Sequence, residues 1–89
     1  VPVEDVVIYA NEKVFNYIFT KPLHESQIIK RELLSDGRRE INLKVKDNYE
    51  LRALLRSFGS QIEVIKPESQ RNKMKEDVLA LSRMYEDKE

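Results

Sequence analysis

The segment between Leu51 and Pro67 restricts the fold most, because it predicts a helix, a strand and a second helix with almost no linker between them. Its first half has apolar residues at i, i+3, i+4 and i+7, the spacing of one helical face. These residues are Leu51, Leu54, Leu55 and Phe58. Gly59 follows where a helix end needs a left-handed residue. The sequence QIEVIK then alternates with Ile62 and Val64 inward, and Pro67 suits the first turn of a new helix.

The first part of the chain predicts a strand followed by a helix. Residues 3–9 are rich in β-branched side chains, as strands are, and Asn11 suits the N-cap of a helix. After Asn11, two apolar pairs repeat at i and i+4 until Pro22, which ends the helix. The pairs are Val14 with Ile18 and Phe15 with Phe19.

Two more strands flank the dipeptide Asp36-Gly37, which is a strong hairpin signal. The second of them alternates, and its apolar face consists of Ile41, Leu43 and Val45. A two-residue turn would direct Lys30 and Glu32 toward that face, so we predict a three-residue loop over 36–38 instead. This register places three residues of the first strand on the buried face, namely Ile29, Arg31 and Leu33. Arg31 then has to extend its guanidinium to the edge of the sheet.

The remaining elements complete a recognisable order. Asp47 and Glu50 predict a capping box for the helix that contains Leu51. Residues 68–89 predict a third helix whose apolar stripe we expect to pack on the core; it consists of Met74, Val78, Leu81 and Tyr85. The order βαββαβ plus a C-terminal helix predicts a single α+β domain over 1–89. It is a ferredoxin-like fold, in which two helices cover one face of a four-stranded antiparallel sheet.

The expected core follows from these periodicities. Each member lies on the apolar stripe of its helix or the apolar face of its strand. The predicted members are Ile41, Leu43, Val45, Leu51, Leu55, Phe58, Ile62 and Val64.

Composition limits the class of protein. The 89 residues include no cysteine, which excludes disulfides, thiolate metal sites and thiol nucleophiles and fits a cytoplasmic location. The formal net charge is zero, although residues 30–46 contain six basic and three acidic side chains. No apolar run approaches the roughly 18 residues of a membrane span and no signal peptide opens the chain, so we expect no membrane partner. Because the first residue is valine, we expect a piece of a longer protein.

No residue pattern predicts catalysis. His24 is the only histidine, and it has no partners at the spacing of a zinc site or a catalytic triad. The carboxylates stand beside basic residues at the spacing of surface ion pairs. The third strand lacks the aromatic residues on which RNA recognition motifs stack bases. We therefore predict no enzyme, no metal and no cofactor.

Two motifs carry a resemblance to a known family. The sequence ELRALLRSFGSQIEVIKP resembles the signature of the WCX domain, the C-terminal extension of WYL-domain transcriptional regulators. The positions that match are Leu51, Leu55, Phe58, Gly59, Ile62, Val64 and Pro67. Upstream, VFNYIFTKPLHESQ resembles the first helix of the family and its His-x-Ser-Gln turn, here His24, Ser26 and Gln27. The chain departs from the family pattern at three positions. Leu54 stands where the family often has tryptophan, Arg56 where an apolar residue is frequent, and Gln70 where leucine is usual.

The resemblance implies a regulatory module of a bacterial transcription factor. Family members combine a DNA-binding helix-turn-helix, a WYL domain that senses an effector, often thought to be nucleic acid, and this extension, which supports dimerisation. The expected partners are therefore the WYL domain of the same protein, a second copy, a nucleic-acid effector, and DNA through the absent helix-turn-helix. A polar loop facing the WYL neighbour would contain Lys21, His24, Ser26 and Gln27. Contacts to phosphate would come from Arg38, Arg39, Lys44 and Lys46.

Two other functions remain open from the sequence. A ferredoxin-like sensor of small molecules such as amino acids would need an apolar pocket with a few convergent polar groups. An acylphosphatase-like hydrolase would need an anion-binding loop after the first strand, where the sequence YANEK has no glycine. Apolar residues outside the predicted core, among them Ile28, Leu34, Leu79 and Met84, predict a surface for self-association or domain docking.

Overall fold

Four strands and three α-helices make up the part of the chain, residues 2–86, that the computed structural model describes. In chain order they are β1 (Val3–Ala10), α1 (Glu12–Thr20), β2 (Ile28–Leu33), β3 (Arg39–Lys46), α2 (Tyr49–Ser57), β4 (Ile62–Lys66) and α3 (Glu68–Met84). The strands form one antiparallel sheet in the order β2-β3-β1-β4. The predicted α+β, ferredoxin-like arrangement with an additional C-terminal helix is confirmed.

An asparagine side chain caps the N-terminus of each of the first two helices. The Asn11 carboxamide accepts a hydrogen bond from the Val14 N–H at 3.0 Å, as predicted. The cap of α2 is Asn48, which accepts from the Leu51 N–H at 2.7 Å, so the prediction of Asp47 as the cap is wrong. The carboxylate of Asp47 is engaged elsewhere, by Arg52 and Lys73. Gly59 follows α2 with φ of +61°, a conformation that favours glycine, as its predicted role requires.

The core lies between the sheet and the helices α1 and α2. In the ladder of β1 and β3, Val6 lies opposite Leu43 and Ile8 opposite Ile41. The buried apolar residues are Val6, Ile8, Ala10, Val14, Ile18, Ile41, Leu43, Val45, Leu51, Leu55, Ile62 and Val64. All predicted core residues belong to this cluster except Phe58, which is only partly buried against it. We call the opposite surface of the sheet, which includes Tyr9 and Lys44, the open face.

The hairpin between β2 and β3 differs from its predicted register. The Leu34 N–H donates to the Arg38 carbonyl at 2.7 Å and the Gly37 N–H donates to the Leu34 carbonyl at 2.9 Å. The three-residue loop is therefore 35–37, one position earlier than predicted, with Gly37 at φ +87°. This form lets glycine take the left-handed position that closes the loop.

An irregularity in β2 changes which of its residues are buried. Ile29 lies on the core face, as predicted, but it pairs with Ile41 instead of Val45, and Leu33 pairs with Arg39 instead of Ile41. Three residues of β2, 30–32, thus face one residue of β3, and such a bulge bends the strand away from the sheet. Leu33 keeps the predicted side of the sheet, since it lies opposite Arg39, but it is 60% exposed, so the prediction that it is buried is wrong. Arg31 is exposed, as a guanidinium that reaches the edge of the sheet requires.

The third helix does not bury its apolar stripe. Met74 is half-buried against the core, whereas Val78, Leu81 and Tyr85 are 54%, 52% and 80% exposed. Every residue from Val78 to Glu86 is exposed. The prediction that this stripe packs on the core is therefore wrong beyond its first member. No helix within residues 2–86 has the length and apolar character that crossing a membrane requires.

Candidate functional site

The loop between α1 and β2 is held in place by its own side chains. The Gln27 carboxamide accepts from the Leu23 N–H at 2.9 Å and donates to the Ile18 carbonyl at 3.0 Å. Ile18 is in the last turn of α1, where carbonyls lack helical partners, so Gln27 ties the loop to the end of this helix. Gln27 is thus a structural residue of the predicted polar loop.

His24 and Ser26 connect the same loop to the sheet. The Ser26 N–H lies 3.1 Å from His24 Nδ1, and the Ser26 hydroxyl lies 2.8 Å from the same nitrogen. The hydroxyl also accepts from the Lys44 N–H at 2.8 Å. Because a backbone N–H can only donate, Nδ1 acts as the acceptor, and we assign the ring proton to Nε2. His24 therefore offers an N–H donor on the side away from Ser26.

This anchoring brings the loop to a groove at one end of the sheet. The groove collects residues from the loop, the two central strands and the start of α2. Its lining consists of Val3, His24, Glu25, Lys44, Val45, Lys46, Asn48 and Leu51. One residue of the predicted polar loop, His24, thus meets two of the four predicted basic residues, Lys44 and Lys46. We call this region the basic groove.

Two lysines dominate the charge of the basic groove. Lys44 and Lys46 are exposed, and within residues 2–86 neither forms an ion pair closer than 4 Å. Glu25 is the acidic residue of the lining, and Asp5 lies opposite Lys44 in the neighbouring strand. The adjacent N-terminus of α2 adds positive potential from its peptide dipoles. The groove is therefore suited to one small anionic group such as a phosphate.

The other two predicted phosphate ligands already have partners. Arg38 donates to Asp36 at 2.7 Å and to Glu63 at 2.8 Å, and its guanidinium lies 5.1 Å from the centre of the Tyr9 ring on the open face. The hydrogen bonds from Arg38 and then Arg71 hold the pKa of Glu63 below its ordinary value. Arg38 contributes to the surface of the sheet rather than to the basic groove.

Arg39 lies on the other side of the sheet from Arg38. Its guanidinium stacks 4.4 Å from the centre of the Phe15 ring and donates to the Arg31 carbonyl at 2.6 Å. The alternation of β3 thus sends these adjacent arginines to opposite faces. The four predicted basic residues do not form one surface.

Lys21 also lies apart from the groove. Its ammonium nitrogen is 5.7 Å from the centre of the Tyr17 ring, and it lines a depression with Leu54 and Phe58. Of the predicted loop residues, only His24 reaches the basic groove. Sequence reasoning missed Val3, Glu25 and Asn48, because only the pairing of Val3 with Lys46 reveals which side chains share this end of the sheet.

A second feature is the exposed part of α3. Residues 78–85, which we call the overhang, present five large apolar side chains to solvent. They are Val78, Leu79, Leu81, Met84 and Tyr85. On the open face Ile28 is also exposed, at 57%, whereas Leu34 is half-buried. Neighbouring exposed apolar side chains on a small domain are a common feature of surfaces that bind other proteins.

The described side chains do not assemble a metal centre. Within residues 2–86 no group of three or more histidine, cysteine, aspartate or glutamate side chains is arranged to hold a metal ion. The polar groups of the basic groove are hydrogen-bond donors and positive charges together with the carboxylate of Glu25.

Comparison with known proteins agrees with the motifs. A search of curated proteins finds no match to the chain. The family model of the WCX domain matches residues 2–82. This match includes all four strands, both core helices and most of α3. The chain therefore belongs to the WCX domain family.

Proposed function

We propose that this WCX domain is a non-catalytic regulatory and dimerisation module of a bacterial WYL-family transcriptional regulator. In this role it supports effector sensing by the neighbouring WYL domain of the same protein, while a helix-turn-helix elsewhere in that protein binds DNA. Membership of the WCX family supports the regulatory role. The observation that carries the proposal is the basic groove, in which a rigidly held loop meets two lysines without ion-pair partners among residues 2–86.

The basic groove supports a role at the effector site. Lys44 and Lys46 supply charge, and the Nε2–H of His24 supplies a directional donor beside them. Such a set suits one phosphate of a nucleic-acid effector, with the WYL neighbour supplying the remaining contacts. Because each neutralised phosphate releases bound counterions, a groove with two lysines gives only weak, salt-dependent affinity on its own.

The overhang supports the role in dimerisation. Its apolar side chains continue the stripe of α3 beyond Met74, the last residue of that stripe that packs on the domain. In a symmetric dimer the same patch serves both copies, so each apolar contact acts twice. The overhang and the groove lie on different elements, which separates the dimer contact from the effector contact.

Binding of a fluorescent single-stranded oligonucleotide to the 89-residue domain tests the groove. We expect weak binding, with Kd above about 10 μM at near-physiological salt, and no sequence preference. The double variant Lys44→Gln/Lys46→Gln should weaken binding and reduce the salt slope by about 1 to 2. The matched control Lys13→Gln/Lys75→Gln removes the same charge from exposed positions on α1 and α3 and should change binding much less.

Two results would contradict the proposal. Equal losses in both double variants would mean that the groove is not the site, because general charge then explains the binding. Tight and sequence-selective binding by the domain alone would mean that it recognises nucleic acid without a neighbour. The coding sequence upstream of Val1 tests the wider assignment, which requires a WYL domain preceded by a helix-turn-helix.

A further inference from the structure

The third helix is attached to the rest of the domain through few apolar contacts. Of its residues only Gln70 is fully buried, and Gln70 is polar. Met74 is the apolar residue of α3 that packs against the core cluster. By comparison, α1 and α2 each bury two aliphatic side chains. Hydrophobic burial therefore holds α3 much less firmly than it holds its neighbours.

Ion pairs supply the other contacts of α3. Arg71 pairs with Glu63 of β4 at 2.7 Å, and Asp77 pairs with Arg56 of α2 at 2.5 Å. Lys73 pairs with Asp47, which precedes α2. Hydrogen bonds from Lys73 and then Gln70 lower the pKa of Asp47 from its ordinary value. Each pair joins α3 to a different part of the domain.

Arg71 has a further role at the edge of the sheet. Its guanidinium also donates to the Val64 carbonyl at 2.8 Å. Because β4 is the last strand in the order β2-β3-β1-β4, one of its sides has no neighbouring strand. The helix thus covers an edge that would otherwise present unpaired backbone groups.

We propose that α3 is a salt-sensitive strap that undocks from β4 and α2 while the sheet, α1 and α2 stay folded. These ion pairs are partly exposed, so each is weak and loses part of its strength to salt screening, and the apolar contact through Met74 is too small to replace them. Undocking uncovers the outer edge of β4 and opens the depression that Ile62 and Val64 of β4 share with Met74 of α3. This inference is independent of the proposed function, since it concerns contacts within one copy of the chain.

Hydrogen exchange on the 89-residue protein, resolved by mass spectrometry into peptides from α3 and from β1 and β3, tests the strap. Exchange is compared at about 0.05 M and about 1 M NaCl, where the Debye length falls to about 3 Å. We expect exchange in α3 to accelerate about threefold to tenfold at high salt. Exchange in β1 and β3, which requires global opening, should change less than about twofold.

A matched pair of variants assigns the effect to a particular contact. Asp77→Asn removes the charge that pairs with Arg56, whereas Glu76→Gln removes the neighbouring charge, which is exposed and forms no ion pair within residues 2–86. Asp77→Asn should accelerate α3 exchange about twofold to fivefold at low salt and reduce its salt response. Glu76→Gln should leave both quantities unchanged.

The proposal is overturned if α3 exchanges at the same rate as β1 and β3 at both salt concentrations, because the helix then opens only with the whole domain. It is also overturned if α3 opens separately but without a salt response. Equal effects of Asp77→Asn and Glu76→Gln would likewise exclude the ion pair with Arg56 as a fastening of the strap.

Discussion

An ion pair between Arg56 and Asp77 links helices α2 and α3, yet the apolar stripe of α2 is buried and that of α3 is mostly exposed. Leu55 of α2 is 3% exposed, whereas Leu81 of α3 is 52% exposed. Both stripes have helical spacing in the sequence. The difference shows that spacing predicts a helix and its apolar side but not what covers that side. One face of a four-stranded sheet accommodates two helices, and α1 and α2 already occupy it.

The largest expected effect is on the free energy of unfolding, when one leucine of α2 and one of α3 are each replaced by alanine. Leu55→Ala should lower the free energy of unfolding by about 2 to 5 kcal/mol, because it leaves a cavity in the core. Leu81→Ala should lower it by less than about 1 kcal/mol, because that side chain already contacts water. Urea titration followed by circular dichroism measures both. A loss below about 1 kcal/mol for Leu55→Ala would contradict the position of α2 on the sheet.

The next prediction concerns the overhang as an interface. Leu81→Glu should weaken self-association about tenfold, or ~1.4 kcal/mol, without changing the urea midpoint. Ser82→Glu adds the same charge at the next exposed position outside the stripe and should have little effect. Ile28→Glu tests the open face in the same assay, and a loss there but not with Leu81→Glu would move the interface to the sheet. Sedimentation over a concentration series provides the measurement, and a strict monomer at high concentration would exclude the dimer.

A smaller effect on the free energy of unfolding should distinguish the N-terminus of α2 from that of α3. The side chain of Asn48 caps α2 by accepting a hydrogen bond from the Leu51 N–H. Helix α3 begins after Pro67 without a side-chain cap. Asn48→Ala should lower the free energy of unfolding by about 1 kcal/mol. Ser69→Ala, at an exposed position in the first turn of α3, should change it by less than about 0.5 kcal/mol. Equal losses in urea titration would contradict the assignment of Asn48 as the cap.

The smallest expected effect is on pH dependence. The pKa values of Asp47 and Glu63 are lowered in the folded protein, chiefly by hydrogen bonds from Lys73 and Arg38 respectively. A lowered carboxylate pKa stabilises the fold above the unfolded values of about 4 and loses this contribution as the pH falls toward the folded value. The urea midpoint should therefore decrease between about pH 5 and about pH 3. Asp47→Asn should make this decrease shallower, and an unchanged slope would contradict a role for Asp47.

Most of the fold was predictable because its signals are local. The alternation of Ile41, Leu43 and Val45 and the helical spacing of Leu51 and Leu55 identify strands and helices without knowledge of the partner elements. Two of the errors, the cap of α2 and the position of the hairpin loop, occurred where two local choices were similar in energy. Asp47 and Asn48 are both good N-caps, and the loop after β2 has odd length in either of two registers.

The candidate site was predictable only in pieces. His24 and Ser26 were identified from the family resemblance, and Lys44 and Lys46 from charge, but nothing local connected them. The contact depends on the hydroxyl of Ser26, which accepts from the Lys44 N–H across 18 positions of the chain. For the same reason Arg38 and Arg39, although adjacent in the sequence, could not be separated into two surfaces until the faces of β3 were assigned.

Local periodicity was therefore enough to identify the strands and the helices and the apolar side of each helix, because hydrophobic spacing is a property of short segments. Long-range pairing set everything that depends on which segments meet. The order β2-β3-β1-β4 created the basic groove, left β4 with a free edge and placed α3 beside that edge. Helices α1 and α2 pack on the core face of the sheet, whereas α3 contacts the core through Met74 and the rest of the domain through ion pairs, so its apolar stripe is exposed beyond Met74.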